Sequence, residues 1–467
     1  MMYTNKQLLQ LTLPLFAEQF LIVFVGVADT FMVSYAGEAA VSGVALVDTI
    51  SFLITAVLGA LCTGGAVVAS QYLGSGDRQK VALTGRLLLG GALLIGLVIL
   101  AGVELLGAPA LRLIFGNVEA DVMQSARDYF RIVGFSYPFL AVYSAITALY
   151  RSQGNSMISM VSSLVVNLIN VAGNFWFIRI MGLGAGGAAL ATALSRGVVC
   201  LLLCALVAHS GMLHDPGTVT LADCRSLTGK MLRIGVPTGV ESPLFSLGKL
   251  LVQQLYASLG TVALAANAAA GALSCIATLP GGAISLAMLP VIGQAIGAGK
   301  PDEARRLGRK LLAIAYVLML GTNLLVYIFL PQLSGLYGLT AETTAVVHDL
   351  LLWHCIFASL FYPAGFCIPA ALLSGGRAVF TGAPRLMERG VGIYETILAQ
   401  KGISVSRTQD AVTFSGRLTP GDYTLRGDVS SHFVTGLDRK SVVYGKSVDL
   451  GRRRIIKKVR RTGRGRE

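Results

Sequence analysis

SQYLGSGD at residues 70–77 and GQAIGAGK at residues 293–300 are one stretch written twice, at an offset of 223 in the numbering. Working outward, the same offset pairs Pro14 with Pro237, Glu18 with Glu241, Gly37 with Gly260, Ala40 with Ala263 and Gly59 with Gly282. Inside the two strings Gln71, Gly74 and Gly76 meet Gln294, Gly297 and Gly299. An offset of 222 then matches Ser152 and Gly154 of YRSQGN with Ser374 and Gly376 of LLSGGR. One offset held without a gap from Pro14 to Gly76 marks an internal duplication.

The duplicated unit is a set of membrane helices. Of 467 residues, 54% are hydrophobic and 13% charged, with a mean hydropathy of +0.69. Soluble domains carry roughly 25% charged residues, so a soluble multidomain enzyme is excluded, as are a collagen, a coiled coil and a disordered chain. A bilayer core needs about 20 mostly apolar residues per helix. Such runs recur near 11–34, 42–71, 83–107, 128–150, 158–180, 185–209, 232–257, 265–292, 308–331 and 347–373. Only helices or a closed barrel satisfy their backbone in lipid, and barrel strands are shorter and alternate. The first run is too long for a signal peptide and contains Glu18 and Asp29, so it reads as a retained first helix.

The offset spans six helices. An even number leaves matched helices pointing the same way, which makes this a parallel repeat about an axis along the membrane normal. The expected fold is therefore an all-α polytopic membrane protein of two pseudo-symmetric lobes. Residues 1–215 hold helices one to six of the first lobe. Residues 216–377 hold helices seven to ten of the second, ten of an expected twelve in all. A substrate path between the lobes is the physical default, since rocking one against the other alternates access.

The charge supports this division. Residues 1–377 carry 20 Lys and Arg against 16 Asp and Glu, and residues 378–467 carry 18 against 8. With the N-terminus in the cytoplasm, inner segments hold thirteen basic residues, from Lys6 to Lys310. Outer segments hold four: Arg112, Arg127, Arg131 and Arg179. The positive-inside rule therefore places the N-terminus inside, in the plasma membrane. Of the net +14, residues 438–467 alone supply +9, so the total does not indicate a nucleic-acid partner.

Ionisable groups inside a membrane are expensive and usually functional. Asp29 lies deep in the first helix, in FVGVADTFMVS. Glu18 and Glu241 each follow a proline by four residues, so they read either as functional acids or as devices that satisfy backbone freed by proline. Lys249 sits two turns beyond Glu241 and either pairs with an acid or snorkels. Arg196 and Glu104 are further intramembrane charges. Asn170 and Asn174 share a face of the fifth helix, with Asn167 nearby; they serve as interhelical glue or as oxygen donors to a cation. The seven cysteines contain no CxxC pair, and the histidines form no ligand pattern, so no metal or cofactor site is expected beyond a coupling Na⁺. GKS at 445–447 has Lys440 where a phosphate loop requires glycine, so ATP does not drive this chain.

Residues 1–377 resemble the multidrug and toxic compound extrusion (MATE) family. The carrying strings are LPLFAEQFLIVFVGVADTFMVSYAGEAAVSGVALVDTI (13–50), GGAVVASQYLGSGD (64–77), IGVPTGVESPLFSLGKLLVQQLYASLG (234–260) and PVIGQAIGAGKPDEARR (290–306). The resemblance implies twelve helices in two lobes, a V-shaped central cavity, and export of organic cations against entry of H⁺ or Na⁺ by a monomer without cofactors. It places Asp29 at the first-helix acid of the first-lobe cation site, with Asn170 and Asn174 where fifth-helix partners lie. Some members carry aspartate at the position of Asn174, so asparagine there removes one negative charge. The family's seventh-helix acid does not register clearly with Glu241. In a proton-coupled cycle, Asp29 takes a proton in the outward-facing state, the first helix repacks and the drug leaves.

Beyond residue 377 the sequence changes character. Residues 382–437 resemble a fragment of 3-phosphoshikimate 1-carboxyvinyltransferase, through GAPRLMERGVGIYETIL, LTPGDYTLRGDVSS and SSHFVTGL. Its Ser430, Ser431 and His432 depart from the family's Ser-Ser-Gln phosphate motif, and no enzyme activity is expected. DRKSVVYGKSVDLGRRRIIKK (438–458) resembles translated sequencing adapter. The enzyme-like piece (378–437) and the basic tail (438–467) therefore read as an unrelated α+β-like or disordered addition to a truncated transporter. Three readings compete with cation-coupled export. One is a lipid-linked oligosaccharide flippase of the same superfamily, disfavoured by the scarcity of intramembrane cations. The others are an anchored enolpyruvyl transferase and a non-functional fusion.

Overall fold

A computed structural model describes residues 3–116, 118–213, 219–258, 261–335, 341–375, 378–381, 404–408 and 411–415. They fall into two compact units, 1–375 and 376–467.

The first unit is helical throughout. Helix α1 (Asn5–Ser34) opens on a capping box: the Thr4 hydroxyl accepts from the Gln7 backbone N–H, and the Gln7 side chain accepts from that of Thr4. Helices α2 (Glu38–Ser75), α3 (Arg78–Phe115), α4 (Ala120–Gly134), α5 (Tyr137–Ser152), α6 (Met157–Asn174) and α7 (Gly184–Ser210) complete the first lobe. The second lobe holds α8 (Leu221–Ser258), α9 (Thr261–Gly297), α10 (Pro301–Ile328), the short α11 (Leu330–Gly335), α12 (Ala341–Tyr362) and α13 (Ile368–Gly375). The matched glycines Gly76 and Gly299 end α2 and α9 with φ of +80° and +68°, a conformation glycine adopts without steric cost.

The helix expected over 128–150 is broken. Helices α4 and α5 bend by 51° at Phe135–Ser136. Pro138 explains the break: it has no N–H, and its ring crowds the carbonyl four residues back, that of Gly134. The last expected helix is also interrupted, by a π-helical turn at Pro363–Cys367. Among the described residues eight helices are long and apolar enough to cross a membrane, or nine if the bent pair is one span. The tenth expected span is α8, 38 residues long but diluted by Glu241, Lys249 and two prolines. Exposed leucines and aromatics such as Leu105, Leu113 and Phe361 suit contact with lipid.

The apolar core is distributed unequally along the bundle. At the end where α1 begins (the near end), one buried cluster joins Leu8, Leu11 and Val67 of the first lobe to Ala287, Ile292 and Leu311 of the second. A second joins Leu61, Val68 and Leu149 to Leu227 and Met231. At the opposite, far end each cluster stays within one lobe: Val33, Val47, Tyr129 and Tyr137 in the first, Ala266, Leu273 and Leu351 in the second. The lobes thus share a core at the near end.

In the second unit three strands, β1 (Ala378–Thr381), β2 (Ser404–Thr408) and β3 (Ala411–Ser415), form an antiparallel sheet in the order β1-β3-β2. Ser430, Ser431, His432 and the adapter-like segment lie outside the described residues.

Candidate cation site in the first lobe

Asp29 projects from α1 toward α6, where Asn170 and Asn174 stand four residues apart on one face. Asn174 Nδ2 donates to Asp29 Oδ1 at 2.7 Å and to Asn170 Oδ1 at 3.2 Å. Asn170 Nδ2 in turn donates to Thr192 Oγ1 of α7 at 3.3 Å. Three helices are joined by one chain of polar contacts, and both asparagines are buried. Among the described residues the buried Asn174 Oδ1 has no hydrogen-bond partner, a situation that costs roughly 1–3 kcal/mol. Immediately after Asn174 the helix widens into a π-helical turn, Phe175–Ile180, a distortion that favours functional sites.

Two further charges bear on Asp29: Asp48 of α2 and Arg196 of α7 lie within electrostatic reach. Arg196 Nη1 donates to Ser136 Oγ at 2.7 Å, which ties the site to the bend between α4 and α5. On the same wall the Tyr137 and Ser51 hydroxyls share a hydrogen bond of 2.8 Å. Asn167 takes no part; its Nδ2 donates to the Leu21 carbonyl at 3.3 Å and joins α6 to α1.

Glu18 belongs to a separate cluster, about 16 Å along α1 from Asp29 at 1.5 Å per residue. Its Oε1 accepts from Arg151 Nη1 at 3.1 Å, and its Oε2 from Ser159 Oγ at 2.7 Å. Arg151 also donates to Ser159 Oγ at 2.9 Å, closing the triangle. The device that satisfies proline-freed backbone is therefore not what Glu18 forms: its oxygens hold side chains. Glu241, its mate in the repeat, is exposed on α8. Lys249 is helical, but its side chain lies outside the described residues. Glu104 pairs with the exposed Arg131 at 3.4 Å.

Sequence reasoning missed Thr192, Asp48, Ser136, Ser159 and the role of Arg151 as a partner. Arg151 lies in the last turn of α5 and belongs by sequence to the inner-side basic residues, yet its side chain turns inward to Glu18. Thr192 and Arg196 are one turn apart on α7, a polar pair on a mostly apolar helix that offered a usable signal.

The MatE family model matches residues 14–176 and 237–381, well over half of the chain. The chain belongs to the MatE family. The two matched segments of this MatE protein start at residues 14 and 237, the same offset as the repeat. It is 27% identical over 350 residues to the uncharacterized transporter YisQ of Bacillus subtilis, covering 74% of this chain and 76% of that one. It is 25% identical over 343 residues to a probable multidrug resistance protein NorM of Thermotoga maritima, covering 71% and 72%. Its fold superposes on an outward-facing multidrug resistance MATE family transporter with a TM-score of 0.71, at 20% identity over 79% of this chain and 82% of that one. A MatE chain is a multi-pass membrane transporter, ion-coupled and not an enzyme. The C-terminal region has a different relative: 74 residues are 42% identical to 3-phosphoshikimate 1-carboxyvinyltransferase of Clostridium kluyveri, covering 15% of this chain and 17% of that enzyme.

Proposed function

We propose that this MatE transporter exports organic cations across the plasma membrane in exchange for H⁺ or Na⁺, with Asp29, Asn170 and Asn174 as its coupling site. The observation that carries this reading is the unpartnered, buried Asn174 Oδ1 beside the Asp29 carboxylate. A cation held between them meets a carboxylate, an amide oxygen and, one step further, the Thr192 hydroxyl. Hard oxygen donors of this kind suit Na⁺, and the carboxylate alone suits a proton. Asp48 adds negative potential and Arg196 tempers it, so arrival and departure of one positive charge changes the balance at the α1–α6–α7 junction.

The near end carries Arg78, Lys80, Arg151 and Lys300, and the positive-inside rule makes it the cytoplasmic side. Lobes whose shared core, among the described residues, lies at that end correspond to an outward-open state. The chain acts as a monomer, since each lobe finds its partner within the same chain. Residues 378–467 take no part in transport: 378–437 are a fused piece of another protein and 438–467 an artefactual basic tail; independent resequencing of the locus across codons 377–438 checks this.

Dye efflux from membrane vesicles with imposed H⁺ or Na⁺ gradients tests the coupling site. Asp29→Asn is expected to lower gradient-driven efflux at least tenfold while leaving the protein in the membrane. Wild-type, gradient-dependent efflux in that variant removes Asp29 from the mechanism.

A further inference from the structure

We propose that Gln71 and Gln294 form a two-fold latch that closes the near end of the transporter; the latch rests on the exporter reading above and supplies its inner gate. Gln71 Nε2 donates to the backbone carbonyl of Ser374 at 2.8 Å, and Gln294 Nε2 donates to the backbone carbonyl of Ser152 at 2.8 Å. The two glutamines are mates at the 223 offset and the two serines at 222. The contact from first lobe to second is therefore repeated from second to first.

The acceptors explain why glutamine is needed. Ser152 ends α5 and Ser374 lies in the last turn of α13. Carbonyls of a last turn have no donor within their own helix. Here both are buried, and the opposite lobe supplies the missing donor. Between the two bonds α2 and α9 cross backbone to backbone. A Cβ on Gly74 would run into the Gln294 carbonyl, and one on its mate Gly297 into the Gln71 carbonyl. A Cβ on Gly293 would run into the Ser70 hydroxyl, and these two residues are also mates. Tyr3 donates to Gln294 Oε1 at 2.6 Å and turns the amide nitrogen toward Ser152. Burial pushes the Tyr3 phenol up to about 12, so it keeps its proton in the cytoplasm.

An amide donor on an orphaned carbonyl is a contact that water can replace. Separating the near ends wets both acceptors and breaks both bonds, whereas among the described residues the far-end clusters each lie within one lobe. Closing the near end reverses each step.

Ser70 Cβ lies 3.1 Å from the Cβ that Gly293 would carry, short of the roughly 3.5–4.5 Å a disulfide spans, so a cysteine pair there links the two helices only after a shift of a few tenths of an ångström outward. The full chain carrying Ser70→Cys and Gly293→Cys is oxidised in vesicles and the linked peptide quantified by mass spectrometry. The link is expected to stop efflux until reductant is added, while the same oxidation leaves the wild type active. Adding Gln71→Leu and Gln294→Leu is expected to cut the yield of the link roughly tenfold, and either alone by equal, smaller amounts. Gln294→Glu and Gln71→Glu, which keep the volume and replace the donor by an acceptor, provide a version without a new close contact. Gln294→Glu is expected to raise labelling of a Ser152→Cys reporter several-fold by an impermeant maleimide applied at the near side. Continued export by linked protein, or link yield and labelling both indifferent to the glutamines, overturns the latch. Because yield and labelling are read without transport, a chain that passes them but exports no organic cation overturns the exporter reading alone.

Discussion

Asp29 in the first lobe has Val252 as its mate in the second, and Asp48 has Gly271. Glu18 is buried and paired with Arg151; its mate Glu241 is exposed, and the residue matched to Arg151 is Leu373. Against this, Gln71 and Gln294, Gly74 and Gly297, and Ser152 and Ser374 are preserved in type and perform the same contact twice. The two lobes have therefore diverged in buried charge and kept their shared contacts. A contact across a two-fold axis needs the same surface on both partners. A cation site needs only one copy, and a second set of buried charges would add desolvation with no return. Asymmetric chemistry on a symmetric frame is the consequence.

The largest way to break this comparison is to remove Glu18. Its ion pair with Arg151 is almost wholly buried, with side-chain exposures of 7% and 19%. Glu18→Ala leaves a guanidinium without its counter-charge, which is expected to destabilise the chain by about 3 kcal/mol or more. Glu241→Ala, on an exposed surface, is expected to change stability by no more than about 0.5 kcal/mol. Thermal unfolding of the detergent-solubilised chain reads both. Replacing the pair together, Glu18→Leu with Arg151→Met, should recover most of the loss, since apolar residues of similar volume often replace a buried pair at no net cost. Equal losses at positions 18 and 241 would mean that the second lobe holds a partner for its acid after all.

Much of this arrangement is legible in the sequence. Hydropathy marks the helices because lipid demands long apolar runs, and the offset of 223 marks the two lobes because matched contacts constrain matched residues. Asp29, Asn170 and Asn174 are legible for the same reason: polar atoms are rare enough in a span to stand out. What stays hidden depends on separation along the chain. Glu18 and Arg151 are 133 residues apart, and nothing local says that an arginine at a helix end turns inward. The bend at Phe135–Ser136 is hidden because apolar runs on both sides of Pro138 merge in any hydropathy window. Glu241 misleads because its spacing from Pro237 copies that of Glu18 from Pro14, while its surroundings do not.

Ser136 and its mate Ser359 sharpen the comparison at intermediate size. Both are buried. The Ser136 hydroxyl accepts from Arg196 at 2.7 Å and donates to the Val133 carbonyl at 2.7 Å, whereas the Ser359 hydroxyl has no partner among the described residues. Ser136→Ala is expected to cost about 1.5–3 kcal/mol, the range for a hydrogen bond to a charged group, and to weaken efflux by loosening Arg196 beside Asp29. Ser359→Ala removes a hydroxyl that gains nothing, so stability should hold or rise slightly. The same thermal assay separates the two.

The smallest effect expected is at the start of the third and tenth helices. Asp77 and Lys300 are mates, yet only Asp77 caps its helix: its Oδ1 accepts from the Lys80 backbone N–H at 3.0 Å, and its Oδ2 from Lys80 Nζ at 2.7 Å. Lys300 makes no side-chain cap to α10, which starts on Pro301 instead. Asp77→Ala is expected to cost about 1 kcal/mol and Lys300→Ala nothing measurable, while Lys300→Asp should gain a few tenths by adding a cap and an anion at a positive helix end. Hydrogen bonds from the Lys80 ammonium and then its backbone N–H hold the Asp77 carboxyl below the usual carboxylate range. A carboxyl with a lowered value in the folded chain stabilises it fully above its unfolded value, near pH 4, and loses that contribution as pH falls through the folded one. The gap in unfolding temperature between wild type and Asp77→Ala should thus be constant from about pH 8 to about pH 5 and narrow only in stronger acid. A gap that changes between pH 5 and 8 would show that another group governs the cap, and would remove Asp77 from the differences between the lobes.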